Sequence, residues 1–267
     1  MNSLFFDDTH FSRETVVDID AAVVGISRTH WQAVAAEAKP EHAVQMMRQN
    51  RFDVLPIVAG QAVREYFCTV VWGDYSQIQR RSITRNDIIP HRSHVRDVIR
   101  GLATEERFFY FLGYEHQIVG LVSVANFNSR QVKVYLFSLL SELEIRLGAF
   151  INERVAENEL CTLTLDSGKA KHAETKEQFN KDRRNGLDAP LIEYLYLSDF
   201  LTVSAKLGLF TELGFASRKT FEKQVNPLNT LRNSVAHPSH SLITTAESIK
   251  KLWRDIDHIE ELLFRLR

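Results

Sequence analysis

Arg107-Phe108-Phe109-Tyr110-Phe111-Leu112, a turn at Gly113, and then Ile118-Val119-Gly120-Leu121-Val122-Ser123-Val124 make two apolar runs folded back on each other. Runs of this length with few polar breaks read as strands covered on both faces, or nearly so. Just ahead of them Val95, Val98, Ile99 and Leu102 recur at helical spacing, with Ser93 placed to cap that helix. The same order stands some fifty residues earlier. Glu41 to Arg48 reads as a helix carrying Ala43, Val44, Met46 and Met47. Phe52-Asp53-Val54-Leu55-Pro56-Ile57-Val58 reads as a strand, Gly60 as a turn, and Tyr66-Phe67-Cys68-Thr69-Val70-Val71 as a second strand. An α-β-β unit therefore occurs twice, and two such units pair into one domain.

The helix, the strand ending Leu55-Pro56-Ile57-Val58 and the closing Val119-Gly120-Leu121-Val122-Ser123 resemble a tandem pair of CBS domains, a Bateman module, over roughly residues 15–128. The resemblance implies adenine-nucleotide binding in clefts between the repeats. There a Ser or Thr and an Asp three residues later, after the last strand, hold phosphate and ribose. Ser123 with Asn126 fits that place in the second repeat, and Thr69 with Trp72 in the first. Neither pair includes the acidic residue. Asn126 can accept a hydroxyl hydrogen bond through its carbonyl oxygen, whereas Trp72 cannot. One occupied nucleotide cleft and a purely structural pair are both consistent with these residues.

From Val132 the periodicity becomes helical. Val132, Leu136, Leu139, Leu140, Leu143, Leu147, Phe150 and Ile151 form one stripe, while Glu142, Glu144, Arg146, Glu153 and Arg154 take other faces. A polar segment, Asp166-Ser167-Gly168-Lys169, precedes a charged helix that runs to about Arg184 and ends at Gly186. Pro190 opens a helix from Leu191 to Leu207 that stops at Gly208. Ser217 starts another, interrupted or restarted at Pro227 and closing at His237. Thr244-Thr245-Ala246-Glu247 is a capping-box pattern for the last helix, whose buried side carries Ile249, Leu252, Trp253, Ile256, Ile259, Leu263 and Leu266. The expected fold is α+β: residues 1–130 as the paired repeats and residues 131–267 as an all-α bundle.

Composition narrows the function classes. A chain of 267 residues, 44% hydrophobic and 25% charged with a net charge of -1, reads as an ordinary globular protein of two domains. That charge argues against tight, purely electrostatic nucleic-acid binding. Two cysteines far apart, Cys68 and Cys161, exclude a disulfide framework and suit a reducing cytoplasm. The first residues, Met1-Asn2-Ser3-Leu4-Phe5-Phe6, lack the basic start and long apolar run of a signal peptide, and no run long enough to span a membrane is expected.

The stretch in which chemistry concentrates is Arg232-Asn233-Ser234-Val235-Ala236-His237, followed by Pro238. Residues before proline leave the α region, so the helix ends near Ala236 and His237, which lets His237 turn back toward Arg232. Arginine clamps phosphate oxygens bidentately and stabilises developing negative charge; histidine exchanges a proton near neutral pH. Together they suit cleavage of RNA by attack of the ribose 2′-hydroxyl on the adjacent phosphate, which needs no metal. Asn233 and Ser234 can orient phosphate or imidazole. One set supplies one imidazole, and a two-fold dimer would supply the acid and the base together.

Arg232-Asn233-x-x-x-His237 on a late helix resembles the Arg-polar-x-x-x-His motif of HEPN-domain proteins, over roughly residues 131–267. Ser141-Glu142-Leu143-Glu144-Ile145-Arg146-Leu147 looks like the first helix of several HEPN subfamilies. The resemblance implies a metal-independent endoribonuclease acting as a homodimer in toxin-like, stress or defence systems. Arg232 and His237 would then be catalytic, Asn233 and Ser234 accessory, and Glu144 or Arg146 distant contributors. Adenine nucleotide is the expected regulatory ligand, at Ser123, Asn126 and Thr69, and RNA the expected partner. The alternative function is a non-enzymatic nucleotide sensor or dimerisation adaptor.

Elsewhere the plainer readings prevail. His237, His240 and His258 have no supporting carboxylate or cysteine spacing, so no metal site is expected. His91-Arg92-Ser93-His94 reads as an exposed helix start, and Lys181-Asp182-Arg183-Arg184 as a solvated helix face. Tyr194 and Tyr196 lie on opposite sides of their helix, at least one of them packed, and Trp253 reads as core.

Overall fold

The computed structural model describes residues 17–166, 170–237 and 239–267. The described residues divide into two compact units, one of Asp18–Tyr135 with Ser239–Trp253, the other of residues 136–237 with Arg254–Arg267 and Val17. Pro238 itself and the 167–169 part of the polar segment lie outside the described residues.

The unit holding the repeats is mixed α and β. A short helix α1 (Ala21–Val24) and strand β1 (Ile26–Ser27) precede β2 (Val34–Ala35), α2 (Pro40–Asn50), β3 (Val54–Ala59), β4 (Ala62–Val71) and β5 (Asp74–Ser82). Then follow β6 (Ile88–Pro90), α3 (Val95–Thr104), β7 (Phe109–Tyr114) and β8 (Gln117–Ser123). They form two four-stranded sheets, β2-β3-β4-β5 and β1-β8-β7-β6. In each, a strand crosses through a helix to a parallel neighbour, and that neighbour turns into an antiparallel partner: β2-α2-β3-β4 and β6-α3-β7-β8. The repeat is thus β-α-β-β. Its leading strand, two or three residues long, is too short to leave a periodicity in the sequence.

The helices bury what their spacing promised. Ala43 and Met47 of α2 pack with Val34, Leu55, Ile57 and Phe67. Val95, Val98, Ile99, Leu102 and Ala103 are the buried face of α3. His94, not Ser93, is the N-cap of α3, and its ring meets the Asp18 carboxylate at 2.7 Å. Val54, Tyr66 and Cys68 of one sheet meet Phe111 and Leu121 of the other, with Tyr66 edge-on to Phe109 at 5.2 Å and to Phe111 at 5.4 Å. The strands are therefore covered on both faces, as their composition required. Gly120 lets β1 approach β8, since a Cβ there would lie 2.6 Å from the Ile26 carbonyl oxygen. Residues 239–253 complete this unit. The Asn128 carboxamide accepts from the Leu242 and Ile243 amides at 2.7 and 2.9 Å and donates to the Ile243 carbonyl at 2.8 Å.

The helical elements are α4 (Arg130–Asn152), α5 (Glu157–Leu163), α6 (Ala170–Arg184), α7 (Leu197–Lys206), α8 (Arg218–Ala236) and α9 (Ala246–Arg265). The α4 stripe is buried as expected apart from Phe150, which is half-buried, while Glu142 is itself buried and held by Arg146. α6 ends ahead of Gly186, whose φ is +81°. Three boundaries differ from expectation. Leu191–Tyr194 is a separate 3₁₀ turn, and α7 starts afresh at Leu197 with Asp199 accepting from the Tyr196 amide. α8 runs through Pro227 unbroken, held by buried Phe221, Val225, Leu228, Leu231 and Val235, whose packing offsets the one missing backbone donor. α9 is capped by the Ser248 hydroxyl, which accepts from the Thr245 amide at 3.2 Å, rather than by Glu247. On α9 Leu262 is buried where Leu263 was expected, and Trp253 is half-buried beneath the Arg96 guanidinium.

Candidate functional site

At the end of α8 the backbone does what a residue before proline should. His237 leaves the helix in an extended conformation, φ -99° and ψ 107°, while its amide still donates to the Asn233 carbonyl at 3.2 Å. Asn233 and His237 are exposed and Arg232 is half-buried. Arg232 lies with its Nε 3.6 Å from Glu144 Oε1 on α4 and its guanidinium carbon 5.7 Å from the Tyr196 ring. The structure thus brings together Arg232, Glu144 and Tyr196, two of which the sequence singled out as site residues. The Ser234 hydroxyl donates to the Thr230 carbonyl at 2.9 Å, a helix back-bond that occupies its proton. Arg146 is paired with buried Glu142 one turn earlier on α4. Tyr196 as a neighbour of Arg232 carries no sequence signal, because it arrives from a loop far along the chain. Tyr194, in contrast, packs edge-on against Phe179 and donates to Asp182 at 3.0 Å.

A second concentration of polar groups lies in the repeats. Ser123 and Asn126 form a capping box at the start of a 3₁₀ turn, Val124–Asn128, in which Asn126 Oδ1 accepts from the Ser123 amide at 2.7 Å and hydroxyl at 3.0 Å. Thr84 and Asp87 form the same box at the corresponding place of the first repeat, the 3₁₀ turn Arg85–Asp87. Asp87 Oδ2 there accepts from the Thr84 amide at 2.8 Å and hydroxyl at 2.7 Å. Thr69 lies elsewhere, buried in the β4–β5 hairpin, where it donates to Asp53 Oδ1 at 3.1 Å beside the Gly73 amide at 2.7 Å. A Thr and an Asp three residues apart thus follow the last strand of the first repeat, at Thr84 and Asp87 rather than at Thr69 and Trp72. The signal was present as Thr and Asp three apart, but β5 displaces it from the strand it was sought behind.

Asp87 is 8% exposed, and its other oxygen takes the Arg107 guanidinium at 2.8 Å. Burial opposes its ionisation, yet the Thr84 amide and hydroxyl and the Arg107 cation together hold the carboxyl below the usual carboxylate range. Arg107 also meets Glu105 at 2.9 Å and the Tyr110 ring at 5.6 Å. Burial, followed by the Glu105 carboxylate, pushes the Tyr110 phenol up. A cleft of about 1110 Å³ opens beside this cluster, lined by Arg85, Ser93, Arg100, Arg107 and Tyr114 among others. Asp97, Glu105 and Glu115 line it as well, with Arg100 paired to Asp97 at 3.2 Å, so charges of both signs face a space of small-molecule size.

His91 and His94, expected to be exposed, divide: His91 is half-buried and edge-on to Tyr114 at 4.9 Å, while His94 is exposed. The Lys181–Arg184 face is solvated, with Arg183 paired to Glu157 at 2.6 Å. Among the described residues no group of three or more His, Cys, Asp or Glu is placed to hold a metal ion, and no helix is long and apolar enough to cross a membrane.

No protein-family model matches the chain, and no curated protein does. Among solved structures, the CBS domain of a bacterial CNNM/CorC family Mg2+ transporter, determined with an inhibitor bound, is similar over 40% of this chain and 72% of that one. The identity is 12% and the TM-score 0.32. Strand order, crossovers and the two matched turns define the repeats without help from that likeness.

Proposed function

We propose that the helical unit is a metal-independent endoribonuclease of HEPN type and that the paired repeats are its CBS-like, adenine-nucleotide-binding regulatory module. The observation that carries the first part is the end of α8. There Arg232 is steadied by Glu144 and partly open to solvent, and Asn233 and His237, one and five residues further on, are exposed. In the reaction the 2′-oxygen forms a bond to phosphorus, the bond from phosphorus to the 5′-oxygen breaks, and a 2′,3′-cyclic phosphate and a 5′-hydroxyl result. Arg232 binds the non-bridging oxygens and His237 moves a proton at the 2′- or 5′-oxygen. A second copy of the chain supplies the other imidazole.

Labelled RNA incubated with the protein in chelator tests this reading. Cleavage is expected, with a cyclic phosphate at the new end. Activity unchanged in an Arg232→Ala, His237→Ala double variant overturns it.

A second reading, a nucleotide sensor without nuclease activity, is favoured by the cleft of about 1110 Å³ beside the Arg107–Asp87 pair. Calorimetry with AMP, ADP and ATP separates the two. Nucleotide binding with no RNA cleavage selects the sensor.

A further inference from the structure

Tyr196 stands beside Arg232 but has no part in the proton and phosphate chemistry. It is 48% exposed, although the Arg232 guanidinium lies 5.7 Å from the ring centre. Two carboxylates fix the peptide that carries it. Glu144 Oε1 accepts from the Leu197 amide at 3.3 Å, and the same oxygen is the one that faces Arg232. Asp199 Oδ2 accepts from the Tyr196 amide at 3.2 Å, and its Oδ1 lies 2.9 Å from His172 Nε2, both side chains being 2% exposed. The ring is thus held out toward solvent from a backbone pinned on both sides, at a set distance from the guanidinium.

We propose that Tyr196 is a stacking platform for an unpaired base next to the phosphate that Arg232 holds, so that the substrate is single-stranded RNA. This rests on the reading of Arg232 and His237 as an RNA-cleaving pair. Every base has a π-face that an exposed aromatic can take, and an adjacent arginine adds its own attraction to the stack. A duplex keeps those faces covered by neighbouring pairs and presents backbone and groove edges instead. A cation for the phosphate and an open ring for the base, set side by side, select the single strand. Glu144 acts here as a positioning residue, since one oxygen sets the place of both the guanidinium and the Tyr196–Leu197 peptide.

The test uses the full chain and a short single strand with 2′-O-methyl riboses, which binds but cannot be cut, carrying 2-aminopurine as the reporter base. Binding is expected to quench the reporter. Tyr196→Leu is expected to remove the quench and weaken binding about tenfold, the loss of one base–aromatic stack, while Tyr196→Trp keeps both. The corresponding duplex is expected to bind more weakly and to be indifferent to the substitution. A reporter that stays bright in the bound wild-type complex overturns the proposal, as does equal affinity of the wild type and Tyr196→Leu. Neither outcome touches the nuclease reading. Conversely, a Tyr196-dependent quench without cleavage of ordinary RNA leaves the platform standing and removes the nuclease. Absence of any binding removes both.

Discussion

The turn at Thr84–Asp87 and the end of α8 hold similar polar groups and use them in opposite directions. In the turn, the hydroxyl, carboxylate and guanidinium of Thr84, Asp87 and Arg107 close on one another, and Asp87 is left 8% exposed. At the end of α8, Asn233 and His237 are exposed, and Arg232 is half-buried, 3.6 Å from Glu144 and over the Tyr196 ring. An inward-turned polar set can act on stability alone, whereas an exposed one can also meet a ligand. Substitutions in the two places should therefore separate stability from activity.

The largest effect is expected at the outward set. Arg232→Ala should slow RNA cleavage by about a hundredfold to a thousandfold, as loss of a transition-state donor does, while the thermal midpoint hardly moves. A partly exposed ion pair at 3.6 Å contributes little to folding. Gel analysis of labelled RNA beside thermal unfolding checks both halves, and a large fall in melting temperature would break the contrast.

At the inward set the order reverses. Arg107→Ala leaves the Asp87 carboxylate buried without its cation and should cost about 2–3 kcal/mol in urea unfolding. Asp87→Asn added to it should recover part of that loss. If the single variant is as stable as the wild type, the cluster is not structural.

Acid should expose the same dependence more gently. The folded-state pKa of Asp87 is depressed, so its contribution is present in full above the unfolded value of about 3.8 and is lost as pH falls through the lower folded value. The wild type should accordingly lose stability below pH 4 more steeply than Asp87→Asn does, read as the urea midpoint against pH.

The smallest effect is expected in the second repeat. Asn126→Asp keeps an oxygen for the Ser123 amide and hydroxyl, so stability should change by less than about 1 kcal/mol. A change as large as that of Arg107→Ala would show that the two turns differ by more than charge.

Where an apolar run is covered on both faces, or apolar residues recur every third or fourth position, the sequence is a sufficient guide. Phe109–Leu112, Leu121–Val122, the face of α3 and the stripe of α4 were all legible in this way. Strand β5 was not, because Asp74–Ser82 is an edge strand that buries none of its residues and so shows no apolar alternation. That omission also hid Thr84–Asp87, which was sought directly behind β4. Pro227 read as a break because local propensity argues for one; packing of α8 overrides it. At the candidate site Arg232 and Glu144 were both marked from sequence, but Tyr196 was grouped with Tyr194 by its spacing. Only the fresh start of α7 at Leu197 turns it outward.

The clamp of Asn128 on Leu242 and Ile243 bears on how the protein is made. Residues 239–253 belong to the compact unit of the repeats, so residues 136–238 are an insertion within it. On a ribosome the strands of both repeats emerge first, yet their unit lacks its last piece until synthesis has passed Trp253. A stall after residue 238 therefore leaves the first-made part of the chain incomplete, because the piece that completes it is made only after the whole of residues 136–238.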